Sequence, residues 1–460
     1  MAVFCHYRHL QWRYLQFFAI CNGEYLYICR KEERTMATRI TKEILKDIIE
    51  DQKEFLSGRK IIERTFPESY LDSEEIIIIT GVRRCGKSVL LQQIRKRMPQ
   101  SDYFFNFDDD RLTSFNIDNF TDLCEVFAEL YGNENYYYFD EIQNIPGWEH
   151  FVKRLYNQGK KIFITGSNAR MLSRELGTLL TGCYIGMELY PFSFKEFLCL
   201  EGEQKLIGNT AGTLNKGKMQ RLFSSYLRMG GFPMYLKSEE KVILKTLYDN
   251  ILYKDVMVRH QIAGEKEVKE LVYFAISNIG KPFSYSSLAK ASDIKSPTTV
   301  KNYIGYIENS YLLFSIPKMD YSVKKQISSS KKIYVIDNAL MLSLGFHFSG
   351  EEGRLLENLV FVELKRRNAG EIFYYNDGNN ECDFMTIDGI QVTNAIQVCY
   401  LMSDENTRKR EIKGLTNAML ACHLTEGYII TASEDEDTEI NGLNIHIISA
   451  SKWLLEDSNK

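Results

Sequence analysis

The most regular patterning begins at Glu74, where apolar runs alternate with helical spacings. Ile76–Thr80 is an almost wholly isoleucine stretch, which predicts a central parallel strand buried on both faces. Gly81 to Ser88 reads as a turn and Val89–Met98 as the helix that it opens. Tyr103–Phe107, Tyr136–Asp140 and Lys161–Thr165 are further strands, with helical spacing around 118–131 and 147–158. This βαβα order predicts an α/β protein with a doubly wound parallel sheet over 60–200. A helical stretch follows at about 215–260, and 266–318 scans as three helices and a hairpin. In the third helix Ser296 is a good N-cap, Pro297 suits the first turn, and Val300, Tyr303, Ile304 and Ile307 share one face. Helix, helix, capped helix, strand is the order of a winged helix-turn-helix. Its exposed face would carry Lys295, Thr298, Thr299, Lys301 and Asn302, and either DNA or a protein partner suits such a face.

Past residue 330 a second α/β unit is expected, opening with a strand at Ile333–Ile336 and a helix at 351–367. Strands near 371–376, 382–387, 394–399, 427–431 and 444–448 complete it, with SSSKK at 328–332 as the joint. The first 35 residues follow no such pattern. Eight of them are aromatic and three are cysteine, and Leu10 to Cys21 is broken by Gln11, Arg13 and Gln16, unlike a signal peptide. From Met36 a helical rhythm appears in Ile40, Ile44, Ile48 and Phe55. The expectation is that translation starts at Met36, that 1–35 is a spurious leader, and that the units are 36–200, 201–265, 266–328 and 329–460.

Composition narrows the classes. With 44% hydrophobic and 26% charged residues among 460, collagen-like, low-complexity and wholly disordered chains are excluded. A net charge of −4 argues against a surface that is basic throughout, while leaving room for a local basic patch. No run approaches the ~20 apolar residues that span a bilayer, so no membrane partner is expected. Ten cysteines without a CxxC pair, and no secretory signal, point to a reducing cytoplasm.

The chemistry is concentrated at Gly81-Val82-Arg83-Arg84-Cys85-Gly86-Lys87-Ser88, a complete GxxxxGK[ST] between a strand and a helix that starts near Val89. Gly81 and Gly86 let the backbone curl so that successive N–H groups face phosphate oxygens, and the helix dipole adds to the attraction. Lys87 can reach the β- and γ-phosphates of ATP, and Ser88 offers a hydroxyl to Mg²⁺. An apolar strand then ends in Asp140-Glu141, which delivers one carboxylate to the metal and a second to the attacking water. The strand KIFIT ends in Gly166-Ser167-Asn168, where Asn168 would sense the γ-phosphate or hold the water, or simply form a turn.

GVRRCGKS, YFDEIQ, ITGSNA, PFSFKEF and GGFP, in that order, resemble a bacterial and archaeal family of AAA-type P-loop ATPases. In that family a C-terminal domain of uncharacterised function follows the ATPase. The resemblance covers about 40–450 and implies the roles above for Lys87, Ser88, Asp140, Glu141 and the Ser167–Asn168 pair. Relatives tend to carry Gly-Arg before the PFSF segment, whereas this chain has Gly182-Cys183. If that arginine stabilises phosphate charge, Arg170, Arg174 or the more distant Arg259 would have to replace it, and an arginine supplied in trans would require an oligomer. The C-terminal pattern is similar to restriction-endonuclease-like domains, with Glu357 on a helix, Glu381 and Asp383 on a strand, and Gln397 and Cys399 where a carboxylate and a lysine are usual. These departures imply a degenerate scaffold unless Lys365 or another lysine moves in. The expected function is Mg²⁺-dependent ATP hydrolysis coupled to the winged-helix and C-terminal units. The alternatives are an ATP-bound switch and an ATP-controlled nucleic-acid-processing protein.

Overall fold

The computed structural model describes residues 40–53, 61–98, 102–168, 180, 182–209, 211–345 and 352–456, together with the backbone of strands Leu15–Cys21 and Glu24–Arg30, which pair as an antiparallel hairpin. The expected parallel sheet is present. Its strand order is Asp102–Asn106, Tyr136–Asp140, Lys161–Gly166, Ile76–Thr80, Tyr184–Glu188, every neighbouring pair parallel. Ile76–Thr80 sits inside the sheet with all five residues buried, as its β-branched run demands. The edge strand Tyr184–Glu188 was not foreseen, because its partial exposure gives no continuous apolar signal. Helices Lys87–Arg97, Asn119–Tyr131 and Trp148–Asn157 are the crossovers. All strands run the same way, so the turn after Thr80 and the ends at Asp140 and Gly166 lie on one edge of the sheet.

The helical stretch comprises Thr213–Met229, Pro233–Ser238 and Lys241–Asn250, then an eight-residue π-helical run at Ile251–Val258. Helices Glu265–Ser277, Tyr285–Ala291 and Pro297–Asn309 follow. Ser296 caps the last of these by accepting from Thr298 N at 3.2 Å, and Val300, Ile304 and Ile307 are buried. Strand Leu313–Pro317 pairs antiparallel with Lys331–Val335.

That pairing corrects the expected layout: the strand at 331–335 closes the hairpin of the middle segment and does not enter the C-terminal sheet. SSSKK is accordingly no loose joint, since Lys332 is 1% exposed. The C-terminal sheet has six strands in the order Glu371–Asn376, Glu381–Asp388, Gln391–Val398, Glu426–Thr431, Leu443–Ser449, Glu436–Ile440. Helices Glu352–Arg366 and Glu405–Ala421 pack on it. One apolar core runs without interruption from the P-loop strand through the helical segment to Phe384 and Trp453, so these units pack as one body. No helix among the described residues is long and apolar enough to cross a membrane.

Candidate nucleotide site

The turn after Ile76–Thr80 is shaped by two close approaches. Gly81 has φ +151°, and a Cβ there would lie 2.1 Å from the Leu189 carbonyl oxygen. Gly86 has φ +109°, and a Cβ there would press on Arg64 Nη1 at 2.9 Å. Arg64, 3% exposed, braces the turn from beneath: it donates to the carbonyls of Cys85 at 2.6 Å and Tyr190 at 2.7 Å, and pairs with Glu196 at 2.7 Å. Glu196 also completes a capping box with Ser193 at the start of helix Phe194–Leu200. The PFSFKEF string thus has a structural purpose, because its Ser and Glu cap one helix and its Glu orients the arginine under the P-loop. Arg64 escaped the sequence reading because nothing near it in the chain marks it.

A cavity of about 330 Å³ opens over this turn, lined by Arg83, Arg84, Gly86, Lys87, Ser88, Val89, Asp140 and Glu141 together with Ile61, Ile62, Pro233 and Met234 from two other segments. Val82 and Cys85 are fully buried in the core and, like Gly81, do not line the cavity. Burial pushes the Cys85 thiol above its ordinary value. Lys87 Nζ donates to the carbonyls of Gly81 and Val82 at 3.1 and 3.2 Å and lies 3.5 Å from Glu141 Oε1. Burial alone would favour neutral Lys87, but the charges of Glu141, Cys85 and Asp140 together outweigh it and the amine titrates above its usual range.

Asp140 is 1% exposed and accepts hydrogen bonds from the hydroxyls of Thr165 and Ser88. Burial, then the charge of Glu141, raises its carboxyl to about 6. Glu141 behaves oppositely: against the penalty of burial, Lys87, Gln143 and Arg83 hold it below the ordinary carboxylate value. Its backbone is left-handed at φ +51°, and its N–H donates to Thr165 Oγ1 at 3.0 Å. Thr165 therefore ties the Asp140 carboxylate to the Glu141 backbone, which a lone threonine in KIFIT did not reveal. Ser167 and Asn168 are buried at the end of the neighbouring strand, and Gln143 Nε2 reaches Ser167 Oγ at 3.4 Å. The Ser88 hydroxyl and the Asp140 carboxylate, already in mutual contact beside the P-loop, are a donor set that fits Mg²⁺.

The substitution at Cys183 acquires a different meaning. Its carbonyl accepts from Ile76 N at 2.9 Å, at the start of the P-loop strand. Position 183 thus sits about 15 Å, the length of that strand, from the phosphate turn. Cys183 is therefore remote from this chain's own phosphate turn. Arg170 and Arg174 lie outside the described residues. Arg259 lies 3.8 Å from Asp255, which pairs with Arg83 of the P-loop.

The C-terminal carboxylates are also brought together, around a lysine that the sequence reading assigned to a linker. Lys332 Nζ is 2.7 Å from Glu381, 3.0 Å from Asp383 and 3.4 Å from Glu357. Lys365 instead lies 3.9 Å from Glu188. Tyr334 donates to Glu357 at 2.7 Å, Asp383 accepts from Val398 N at 3.1 Å, and Gln397 bridges Asp383 N to Glu411. Cys399 is buried, its thiol pushed up to about 11 by burial. Among the described residues no group of three or more His, Cys, Asp or Glu side chains is placed to hold a metal ion.

A strand–turn–helix with a glycine-bounded cradle, a lysine inside it, and a buried Asp followed by a half-buried Glu at the end of a parallel strand one further along the sheet defines a P-loop domain of the ATPase class. Residues 73–198 match the family described as AAA domain, and 220–350 match a domain of unknown function, DUF8612. The chain is 35% identical over 397 residues to the uncharacterized protein MJ1544 of Methanocaldococcus jannaschii, covering 84% of this chain and 88% of that one, and it belongs to the same family. It is also 30% identical over 409 residues to an uncharacterized protein of Haemophilus influenzae, covering 84% and 96% of the two chains. Among solved structures, the Walker-type ATPase paby2304 of Pyrococcus abyssi aligns at 15% identity and a TM-score of 0.39, over 63% of this chain and 99% of that one.

Proposed function

We propose that the protein binds Mg²⁺–ATP at Gly81–Ser88 and hydrolyses it. The carrying observation is the convergence of Lys87, Ser88, Asp140 and Glu141 on one cavity over the phosphate turn. In this reading Lys87 neutralises the β- and γ-phosphates while Ser88 and Asp140 hold Mg²⁺, which supplies further charge neutralisation. Glu141, kept ionised, takes a proton from water as its oxygen bonds to the γ-phosphorus. The bond to the ADP oxygen breaks, and the proton passes to the phosphate released. Asn168 is assigned to the water or the γ-phosphate.

The same reading couples nucleotide state to the rest of the chain. Tyr311, next to the middle hairpin, donates to Thr80 Oγ1 at 2.7 Å, at the last residue before the P-loop. The three helices and hairpin are read as a winged helix, and the C-terminal sheet as an endonuclease-like scaffold whose carboxylates Lys332 neutralises. Together they engage a partner in the cytoplasm. Steady-state phosphate release tests the proposal: Lys87→Ala should abolish turnover, and Glu141→Gln should abolish it while still binding ATP. Wild-type protein that binds ATP without releasing phosphate would leave the switch as the better reading.

A further inference from the structure

Beside the nucleotide cavity lies a larger one of about 540 Å³, between the P-loop and the π-helical run Ile251–Val258. Arg83 and Arg84 line both cavities, and Arg259 and Asp255 line the second. Asp255 is 3% exposed and grips Arg83 through two bonds, Nε to Oδ2 and Nη2 to Oδ1, each 3.0 Å. A fork of this kind uses one edge of the guanidinium and leaves Nη1 and one Nη2 proton unused. No protein acceptor takes these among the described residues. Arg83 also lines the nucleotide cavity, together with Lys87 and Glu141. Behind it, Arg259 Nη1 is buried without a hydrogen-bond partner.

We propose that Arg83 is the arginine that contacts the terminal phosphate of ATP in cis, and that Asp255 is the positioning residue that holds its unused edge toward that phosphate. The inference rests on the ATP-binding reading above. Three observations carry it. Arg83 belongs to the turn that cradles the phosphates, so it needs no domain closure to arrive. Its partner is buried and anchored on a helix whose π-type hydrogen bonding marks a departure from regular geometry of the sort found at functional sites. The two-point grip removes most of the side chain's rotational freedom, so the entropy of ordering is already spent before nucleotide binds. ADP has no γ-phosphate, so Arg83 should distinguish ATP from ADP, whereas Lys87 should hold both.

The test combines turnover with equilibrium binding of ADP and of the slowly hydrolysed analogue ATPγS to the full chain. Arg83→Ala should lower kcat by about 100-fold or more and weaken ATPγS by about 10-fold, with ADP affinity changed less than about threefold. Arg83→Lys, which keeps the charge but cannot form the fork, should recover only part of kcat. Asp255→Asn should lower kcat by about 10-fold in the wild-type background and by less than about twofold when Arg83 is already alanine, because it acts through that side chain. Equal loss of both nucleotides in Arg83→Ala, or multiplicative losses in the double variant, would overturn the proposal. Should the wild-type protein bind ATPγS but not turn over, hydrolysis fails while the ATPγS-to-ADP ratio still decides the contact. Should it bind neither nucleotide, both proposals fall. A melting curve for each variant separates unfolding from these effects, and Arg83→Lys carries the test if Arg83→Ala does not fold.

Discussion

Asp140 offers the sharpest test of the electrostatics. Its carboxyl is raised from 3.8 to about 6, with burial as the main cause and the Glu141 charge second. The folded chain therefore holds that proton more tightly than the unfolded chain. The resulting stabilisation is full below the unfolded value and is lost as pH rises through the folded one. Working through the linkage, ionisation costs the nucleotide-free protein about 1.6 kcal/mol at pH 5 and about 3 kcal/mol at pH 8. Asp140→Asn keeps the shape and an acceptor for the Thr165 hydroxyl but carries no charge at either pH. The variant should gain stability over wild type, and its advantage should widen by about 1.4 kcal/mol between pH 5 and pH 8. Urea unfolding of both proteins without nucleotide, at the two pH values, measures this. An advantage that does not change with pH would refute the argument, and a variant less stable at pH 8 would reverse its sign. The same substitution should remove Mg²⁺-dependent nucleotide binding, so that stability is gained at the expense of the site.

Three further outcomes follow from buried partners. Lys332→Met leaves Glu357, Glu381 and Asp383 without their cation and should cost ~3–5 kcal/mol at pH 8. Because burial raises Glu357 to about 7, the loss in urea unfolding should shrink at pH 5.5, and equal losses at both pH values would count against the ion cluster. Arg64→Lys cannot serve Glu196 and the carbonyls of Cys85 and Tyr190 from one ammonium, so the P-loop should loosen and the KM for ATP should rise about 10-fold. An unchanged KM would show that the brace is dispensable. Tyr311→Phe should cost about 1 kcal/mol and abolish any nucleotide-dependent change in amide exchange over 297–309; a response that persists would exclude the Thr80 contact as the route.

The parts legible in the sequence were those whose chemistry is written in one contiguous string. GVRRCGKS carries its own glycines, lysine and serine, and YYYFDE announces a strand end with two carboxylates. The residues that brace and connect the site were not legible, because their partners lie far along the chain: Arg64 and Glu196 are 132 residues apart, Arg83 and Asp255 172, Thr80 and Tyr311 231. Lys332 was misplaced for a related reason. A serine- and lysine-rich string is locally a loop signal, and nothing local shows that its last lysine will be drawn into a cluster of three carboxylates. Edge strands were the other loss. Glu436–Ile440 is charged and exposed, as an unpaired edge favours, and so lacks the alternation that marks a strand.

Two contact routes lead out of the phosphate turn, and both end at the same helix of the middle segment. One runs from Thr80 to Tyr311, just beyond Pro297–Asn309. The other runs from Arg83 to Asp255 on the π-helical run, and then from His260 to Tyr306, whose rings stack at 3.8 Å and 6°. On the proposed reading the routes carry different information. Thr80 moves with the P-loop strand and responds to any nucleotide that fills the cradle, ADP included. Arg83 responds to a terminal phosphate. A helix held at its end by both side chains can therefore distinguish empty, ADP and ATP states, provided that the apolar core linking it to the C-terminal sheet transmits the displacement. Lys332 lies on the far side of that link, on the strand paired with Leu313–Pro317, and ties the hairpin to Glu381 and Asp383. On the proposed reading a shift of the hairpin would strain this ion cluster directly, so that a change at the nucleotide site would be felt at Glu381 and Asp383 through Lys332.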